Sequence, residues 1–123
     1  MKRILIVDDE KEICDVLVEL FSPDYETAAA YNGIEALKLV TAQLPDLVVA
    51  DFKMPLLDGI SLIERIVRLP DSEDMKFILI SGFLENAILK EWKNSIPGRD
   101  VRCFQKPVDM AKMEEAVKKL LYD

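Results

Sequence analysis

The 123-residue sequence contains no histidine. That absence excludes a His-based triad, a His-ligated zinc site and a phosphohistidine formed within the chain itself. Cysteine is scarce: Cys14 and Cys103 lie far apart, without metal-ligand spacing, and read as two reduced, mostly buried thiols. Glycine and proline number only four and six, and there is neither a low-complexity stretch nor a fixed-period repeat. No apolar run approaches the roughly 20 residues of a membrane helix. The opening MKRILIVDDE has an apolar run of four residues and no small-residue cleavage site, so it does not read as a signal peptide. One soluble, cytoplasmic domain spanning residues 1–123 is therefore expected. An excess of positive charge is also lacking. The net charge of −7 disfavours direct binding to nucleic acid or an anionic membrane, whose phosphates would be repelled. Cations and basic partners suit such a chain better.

What is present is an alternation. Arg3 to Val7, RILIV, is a short continuous apolar run suited to a strand buried on both faces. Lys11 to Phe21 carries Ile13, Val16, Leu17, Leu20 and Phe21 at helical spacing. Tyr25 to Ala30 is a weak strand, placed between two helices. After the Asn32-Gly33 turn signal, Gly33 to Gln43 reads as a helix with Ala36, Leu37 and Val40 inward, ended by Pro45. Leu47 to Ala50 is the third strand. Asp58 to Leu69 is a helix with Asp58 as N-cap and Leu62, Ile63 and Ile66 inward. Lys76 to Ile80 is the fourth strand, and Leu84 to Asn94 a helix with Leu84, Ala87, Ile88 and Trp92 on its stripe. Val101 to Gln105 is the fifth strand. Asp109 to Tyr122 closes as a helix with Met110, Met113, Val117, Leu120 and Leu121 at helical spacing, its methionines reading as core. Five strand–helix repeats predict an α/β fold with a parallel sheet covered on both faces. Right-handed crossovers point to a doubly wound five-stranded sheet in the order 2-1-3-4-5. Ligands bind such sheets at the carboxyl ends of the strands, where the order reverses between the first and third.

The residues at those ends are chemically selective. The first strand runs into Asp8-Asp9 and Glu10, the third into Asp51, the fourth into Ser81-Gly82 and the fifth into Lys106-Pro107. Each has an ordinary reading by itself: Asp8-Asp9 as a helix cap, Asp51 as a turn cap, Asp58-Gly59 as a turn, Lys106 as a surface lysine. Four such signals at four strand ends are improbable by chance. Two carboxylates about 5 Å apart repel by about 3 kcal/mol at an effective dielectric near 20. A hard divalent cation removes that cost, and oxygen-only ligands with room for water suit Mg²⁺. Carboxylates, a hydroxyl, an ammonium and Mg²⁺ match the needs of phosphoryl transfer, in which a carboxylate can itself be the nucleophile.

With these residues in view, the chain resembles, over its full length, the receiver domain of bacterial two-component response regulators, a flavodoxin-like fold. ILIVDDE is similar to the family's first strand and acidic pair, and DLVVADFKMPLLDG to its phosphoacceptor segment, with Asp51 as acceptor, Pro55 four residues on and Asp58-Gly59 at the expected offset. Ser81, 30 residues after Asp51, stands where the family has Ser or Thr, and Lys106-Pro107 matches its lysine motif, whose peptide bond is usually cis. The resemblance implies Mg²⁺ held directly by Asp9, Asp51 and the Lys53 backbone carbonyl, and by Asp8 through water. It implies that Asp51 takes a phosphoryl group from a phosphohistidine of a sensor histidine kinase or phosphotransfer protein, assisted by Lys106 and Ser81. A changed surface on the fourth helix, fifth strand and fifth helix would then meet a downstream protein target, with a phosphorylation-dependent homodimer left open. No external substrate would be turned over.

Several positions depart from the pattern or tune it. Cys103 stands three residues before the lysine, where the family has its switch aromatic, and Phe104 comes one place later. Strand alternation turns Phe104 to the opposite face unless a bulge intervenes. The span from Ser81 to Lys106 is longer than usual, which places an extra turn around NSIPGRD. Lys53 and Phe83 occupy positions that tune phosphoryl lifetime in the family. Other chemistries on this fold fare worse: DDEKE would repel the phosphate of a flavodoxin's FMN, and a haloacid-dehalogenase phosphatase needs an Asp where Lys53 stands. A receiver-fold interaction module with weak or unusual switching is the alternative that Cys103 keeps open.

Overall fold

The computed structural model describes residues 1–122, apart from the side chain of Phe83; the lifetime-tuning reading of Phe83 therefore lies outside the described residues. The elements alternate β1 (Arg3–Val7), α1 (Lys11–Phe21), β2 (Glu26–Ala30), α2 (Gly33–Ala42), β3 (Leu47–Asp51), α3 (Gly59–Ile66), β4 (Lys76–Ser81), α4 (Asn86–Lys93), β5 (Val101–Gln105) and α5 (Met110–Tyr122). A single 3-10 turn, Phe83–Glu85, leads into α4. All strand pairs are parallel and the sheet order is β2-β1-β3-β4-β5, the topology expected from the alternation.

The apolar runs explain the two cores. In a strand buried on both faces, successive side chains serve opposite layers. Leu5, Val7, Val48, Ala50, Phe77 and Leu79 meet Ala36, Val40, Leu62, Ile63, Ile66 and Leu89 on the α2, α3 and α4 side. Ile4, Ile6, Leu47, Val49, Ile78 and Ile80 meet Cys14, Leu17, Phe21, Met113, Val117 and Leu120 on the α1 and α5 side. Burying one such leucine or isoleucine contributes about 1.5–3 kcal/mol.

Helical phase differs from the sequence reading in three places. In α1, Ile13 and Val16 are exposed and Cys14 is fully buried between them. Leu84, in the 3-10 turn before α4, and Ile88 are exposed and Ala87 lies outside the core; Leu89 is the fully buried anchor of α4, with Trp92 packed partly against the same cluster. In α5, Met110 is exposed while Met113 is buried. Boundaries move by a residue or more where side chains take other work. Tyr25 precedes β2 and sets its ring edge-on to Phe21, centroids 6.0 Å apart. Asp58 stays outside α3 as its cap, accepting from the Ser61 N–H at 2.8 Å, and Asn32 does the same for α2 through Glu35 N–H at 2.8 Å.

The residues around NSIPGRD are fastened rather than loose. The Arg99 guanidinium donates to the carbonyls of Ser72 and of Val67 (3.0 Å) and to the Ser72 hydroxyl (3.2 Å), which ties the α4–β5 connection to the end of α3. Ser72 is itself buried. Arg99→Ala strips several hydrogen bonds from charged donors, and we expect unfolding in urea to show a loss of about 2 kcal/mol. An unchanged urea midpoint would mean that Trp92 and Ile96 alone hold this segment.

Candidate active site

The carboxyl ends of β1, β3, β4 and β5 line up on one rim because the strands are parallel and in register. Val7 pairs with Ala50, Asp51 with Ile80, and Ser81 with Gln105. Backbone hydrogen bonds extend the ladder past the strand ends: Asp8 N–H donates to Ala30 at 3.1 Å, Phe52 N–H to Ile80 at 2.8 Å and Lys106 N–H to Ser81 at 2.8 Å. The side chains that follow each strand are thereby placed by the sheet itself.

Asp8, Asp9 and Asp51 each offer a carboxylate oxygen, and these oxygens all lie within 4.8 Å of one another. Asp8 and Asp51 are buried and Asp9 is exposed. Asp8 Oδ1 accepts from the Glu10 N–H at 2.9 Å, so the first acidic residue also helps to start α1. The Lys106 ammonium stands 3.2 Å from Asp51 Oδ1. Ser81 is buried at the end of β4, and its Oγ has no hydrogen-bond partner. Lys53 lies in the loop directly after β3 with an exposed side chain. The Lys106–Pro107 peptide bond is cis.

The electrostatics show a shortage of positive charge. Burial pushes the Asp8 carboxyl up to about 6, and the charges of Asp51 and Asp9 add to that against the Glu10 N–H and Lys106. Burial also raises the Asp51 carboxyl, and the hydrogen bond and charge of Lys106 offset only part of the rise. Burial draws the Lys106 ammonium down, but Asp51, Asp8 and Glu10 outweigh it and its pKa ends up raised. One ammonium thus faces several carboxylates, two of them buried where an unpaired negative charge is costly.

Two contributors went unread in the sequence. A Cβ on Gly59 would lie 2.6 Å from both the Asp51 carbonyl oxygen and Leu79 Cδ2, so only glycine lets α3 start this close to the acceptor segment. Its N–H also donates to the Phe52 carbonyl at 2.8 Å. The Asp58-Gly59 pair signals a turn, but the close approach behind it depends on a strand distant in sequence. The Glu10 N–H is the other, and a backbone donor leaves no residue-type signal.

The register on β5 decides the aromatic question. Leu79 pairs with Cys103 and Ile80 with Phe104, without a bulge. Cys103 packs with the α2–α4 layer and Phe104 with the α1 and α5 layer. The ring therefore lies across the sheet from the thiol.

A family model described as response regulator receiver domain matches residues 4–118. The chain belongs to that family. This receiver domain is 36% identical over 121 residues to sporulation initiation phosphotransferase F of Bacillus subtilis (strain 168), covering 98% of this chain and 94% of that protein. It is 35% identical to response regulator protein TrrA of Thermotoga maritima, solved in complex with Mg(2+)-BeF, with a TM-score of 0.81 over 98% of this chain and 100% of that one. Against a two component transcriptional regulator AraC of Clostridium phytofermentans ISDg the values are 31% identity and a TM-score of 0.85, over 98% and 93% of the two chains. The receiver domain thus takes a general phosphoryl-accepting role in two-component signalling. No described helix is long and apolar enough to cross a membrane.

Proposed function

We propose that this receiver domain, spanning residues 1–123, accepts a phosphoryl group on Asp51 from a phosphohistidine of a sensor histidine kinase or phosphotransfer protein. The observation that carries the reading is the joint placement of a buried acceptor carboxylate, an ammonium 3.2 Å away and a buried hydroxyl without a partner. An Asp51 oxygen attacks phosphorus; the new P–O bond forms as the P–N bond breaks, and the donor's imidazole leaves with the electron pair. Lys106 then balances one phosphoryl oxygen, and Ser81 Oγ gains in another the acceptor it lacks.

The donor set suits a hard divalent cation: three carboxylates with oxygens inside 4.8 Å and no nitrogen or sulfur ligand among them. Mg²⁺ would be held by Asp9, Asp51 and the Lys53 carbonyl, with Asp8 acting through water. When bound, it neutralises the carboxylates and the charge developing on the phosphoryl oxygens. Support for this choice comes from the relative solved with Mg(2+)-BeF, and support for a phosphotransfer partner from the relative named a phosphotransferase.

The output is a changed surface on α4, β5 and α5 that meets a downstream protein in the cytoplasm; the domain turns over no external substrate. The opposite facing of Cys103 and Phe104 favours a second reading, an interaction module in which phosphorylation shifts this surface weakly. Intact-mass analysis after incubation with acetyl phosphate tests the chemistry. The expected result is one HPO₃ adduct that needs Mg²⁺. Lys106→Ala, which removes the phosphoryl partner and no metal ligand, should keep Mg²⁺ affinity within about threefold while accumulating less adduct. A collapse of Mg²⁺ affinity in that variant would reverse the roles assigned here.

A further inference from the structure

At the end of the sheet opposite the acidic rim, where β1 and β2 begin, a cleft of about 280 Å³ lies between the end of α1 and α5. Leu20, Phe21 and Tyr25 give it an apolar wall, and Asp24, Glu114, Glu115 and Lys118 give it charge. Glu115 is paired with Lys119 at 3.3 Å. Among the described residues, Asp24 and Glu114 have no ammonium or guanidinium within 4.0 Å, although Lys118 stands about one helical turn from Glu114. α1 ends here with no basic residue in its last turn, so the negative end of its dipole is left uncompensated. The decisive group is Tyr25. Only 8% of it is exposed, yet its hydroxyl makes no hydrogen bond to a described residue and keeps contact with solvent through the cleft it lines. Burial, then Tyr122 and Asp24, raise its pKa, so the hydroxyl stays neutral. A buried tyrosine ordinarily finds a partner for its oxygen. Here that partner has to come from the cleft.

We infer that this cleft binds a small alkylguanidinium, its stem against Leu20, Phe21 and Tyr25 and its N–H groups shared between Tyr25 Oη and the carboxylates of Asp24 and Glu114. A guanidinium offers a planar fork of donors that matches several oxygens at once, and it sheds water more readily than an ammonium. A bare metal ion would leave the apolar wall uncovered. The volume is near the lower end of small-ligand sites, so the whole of such a molecule fits, which favours a free ligand over a protein's arginine. The cleft shares no residue with the Asp51 site, so the two readings fail separately.

The test titrates the ¹⁵N-labelled protein, with Mg²⁺ present to occupy the rim, against n-butylguanidinium, n-butylammonium and NaCl at equal ionic strength. The expected result is amide shifts confined to residues 20–25 and 114–118, with butylguanidinium binding about threefold tighter than butylammonium and NaCl giving no shifts there. Asp24→Asn/Glu114→Gln, at exposed positions, should weaken binding about tenfold and leave the urea midpoint unchanged. Tyr25→Phe keeps the ring, loses only the oxygen and should weaken binding about threefold. Lys118→Ala should tighten it by removing a rival ammonium, and Asp51→Asn should bind as the unchanged protein does. An equal response to NaCl, shifts centred on Asp8, Asp9 and Asp51, or unchanged affinity in both the carboxylate and the Tyr25 variants would overturn the site. Tighter binding of an N-acetyl-Gly-Arg-Gly amide would overturn the free ligand and assign the cleft to a protein's arginine.

Discussion

Asp51→Asn will take up no phosphoryl group from acetyl phosphate under conditions in which the unchanged protein gains one HPO₃. The amide lacks the carboxylate's negative charge and does not form a stable acyl phosphate. Removing a nucleophile of this kind lowers the rate by about a thousandfold or more. The same substitution should raise the stability of the metal-free protein at pH 7, because burial holds the Asp51 carboxyl above its ordinary pKa of 3.8 even with Lys106 beside it. A carboxyl raised in the fold costs stability wherever it is ionised, and Asn is neutral at every pH. The variant should therefore be harder to unfold and blind to phosphodonor. A Mg²⁺-dependent adduct persisting on the variant would place the chemistry on another carboxylate, with Asp9 the nearest exposed candidate.

Much of this was legible in the chain itself, for reasons that differ by element. ILIV, LVVA and FILI are unbroken apolar runs, and in a parallel sheet both faces of such runs are buried, so period and face need no decision. The rim followed from the same feature, since the first polar residue after each run must stand at its carboxyl end. Short helices were harder. KEICDVLVELF carries apolar residues over more than half its circumference, and the sheet, not the spacing, chose Cys14 and Leu17 over Ile13 and Val16. On α4 the choice fell on Leu89, because Trp92 leans towards α3 with its indole N–H 3.4 Å from a Glu64 carboxylate, and Ala87 and Ile88 turn outward. Arg99's clasp on Ser72 and Val67 and the tight seat of Gly59 were illegible in principle. Each depends on a backbone carbonyl brought close by the fold, which no residue type announces. The facing of Cys103 and Phe104 was legible from alternation alone and needed the structure only to exclude a bulge.

The acidic rim also fixes how stability should respond to pH, and the response should flatten when Mg²⁺ is added. Without a divalent cation, Asp8 has a pKa near 3.8 in the unfolded chain and about 6 in the fold. A raised carboxyl stabilises fully below the unfolded value, and that contribution is lost as pH rises through the folded one. The full difference is on the order of 3 kcal/mol, of which about 1 kcal/mol falls between pH 5 and pH 7. Asp51 is raised as well and pushes in the same direction. In EDTA, the unfolding midpoint in urea should thus be higher at pH 5 than at pH 7. Bound Mg²⁺ opposes the slope and flattens it, because it binds the ionised carboxylates and protons compete with it. At 100 times its dissociation constant it adds about 2.7 kcal/mol at pH 7. That increment should shrink to about 1.4 kcal/mol at pH 5 as Asp8 holds its proton. Parallel pH slopes with and without Mg²⁺ would mean that these buried carboxylates do not bind the ion, and that the strain of gathering them on one rim is relieved by Lys106 alone.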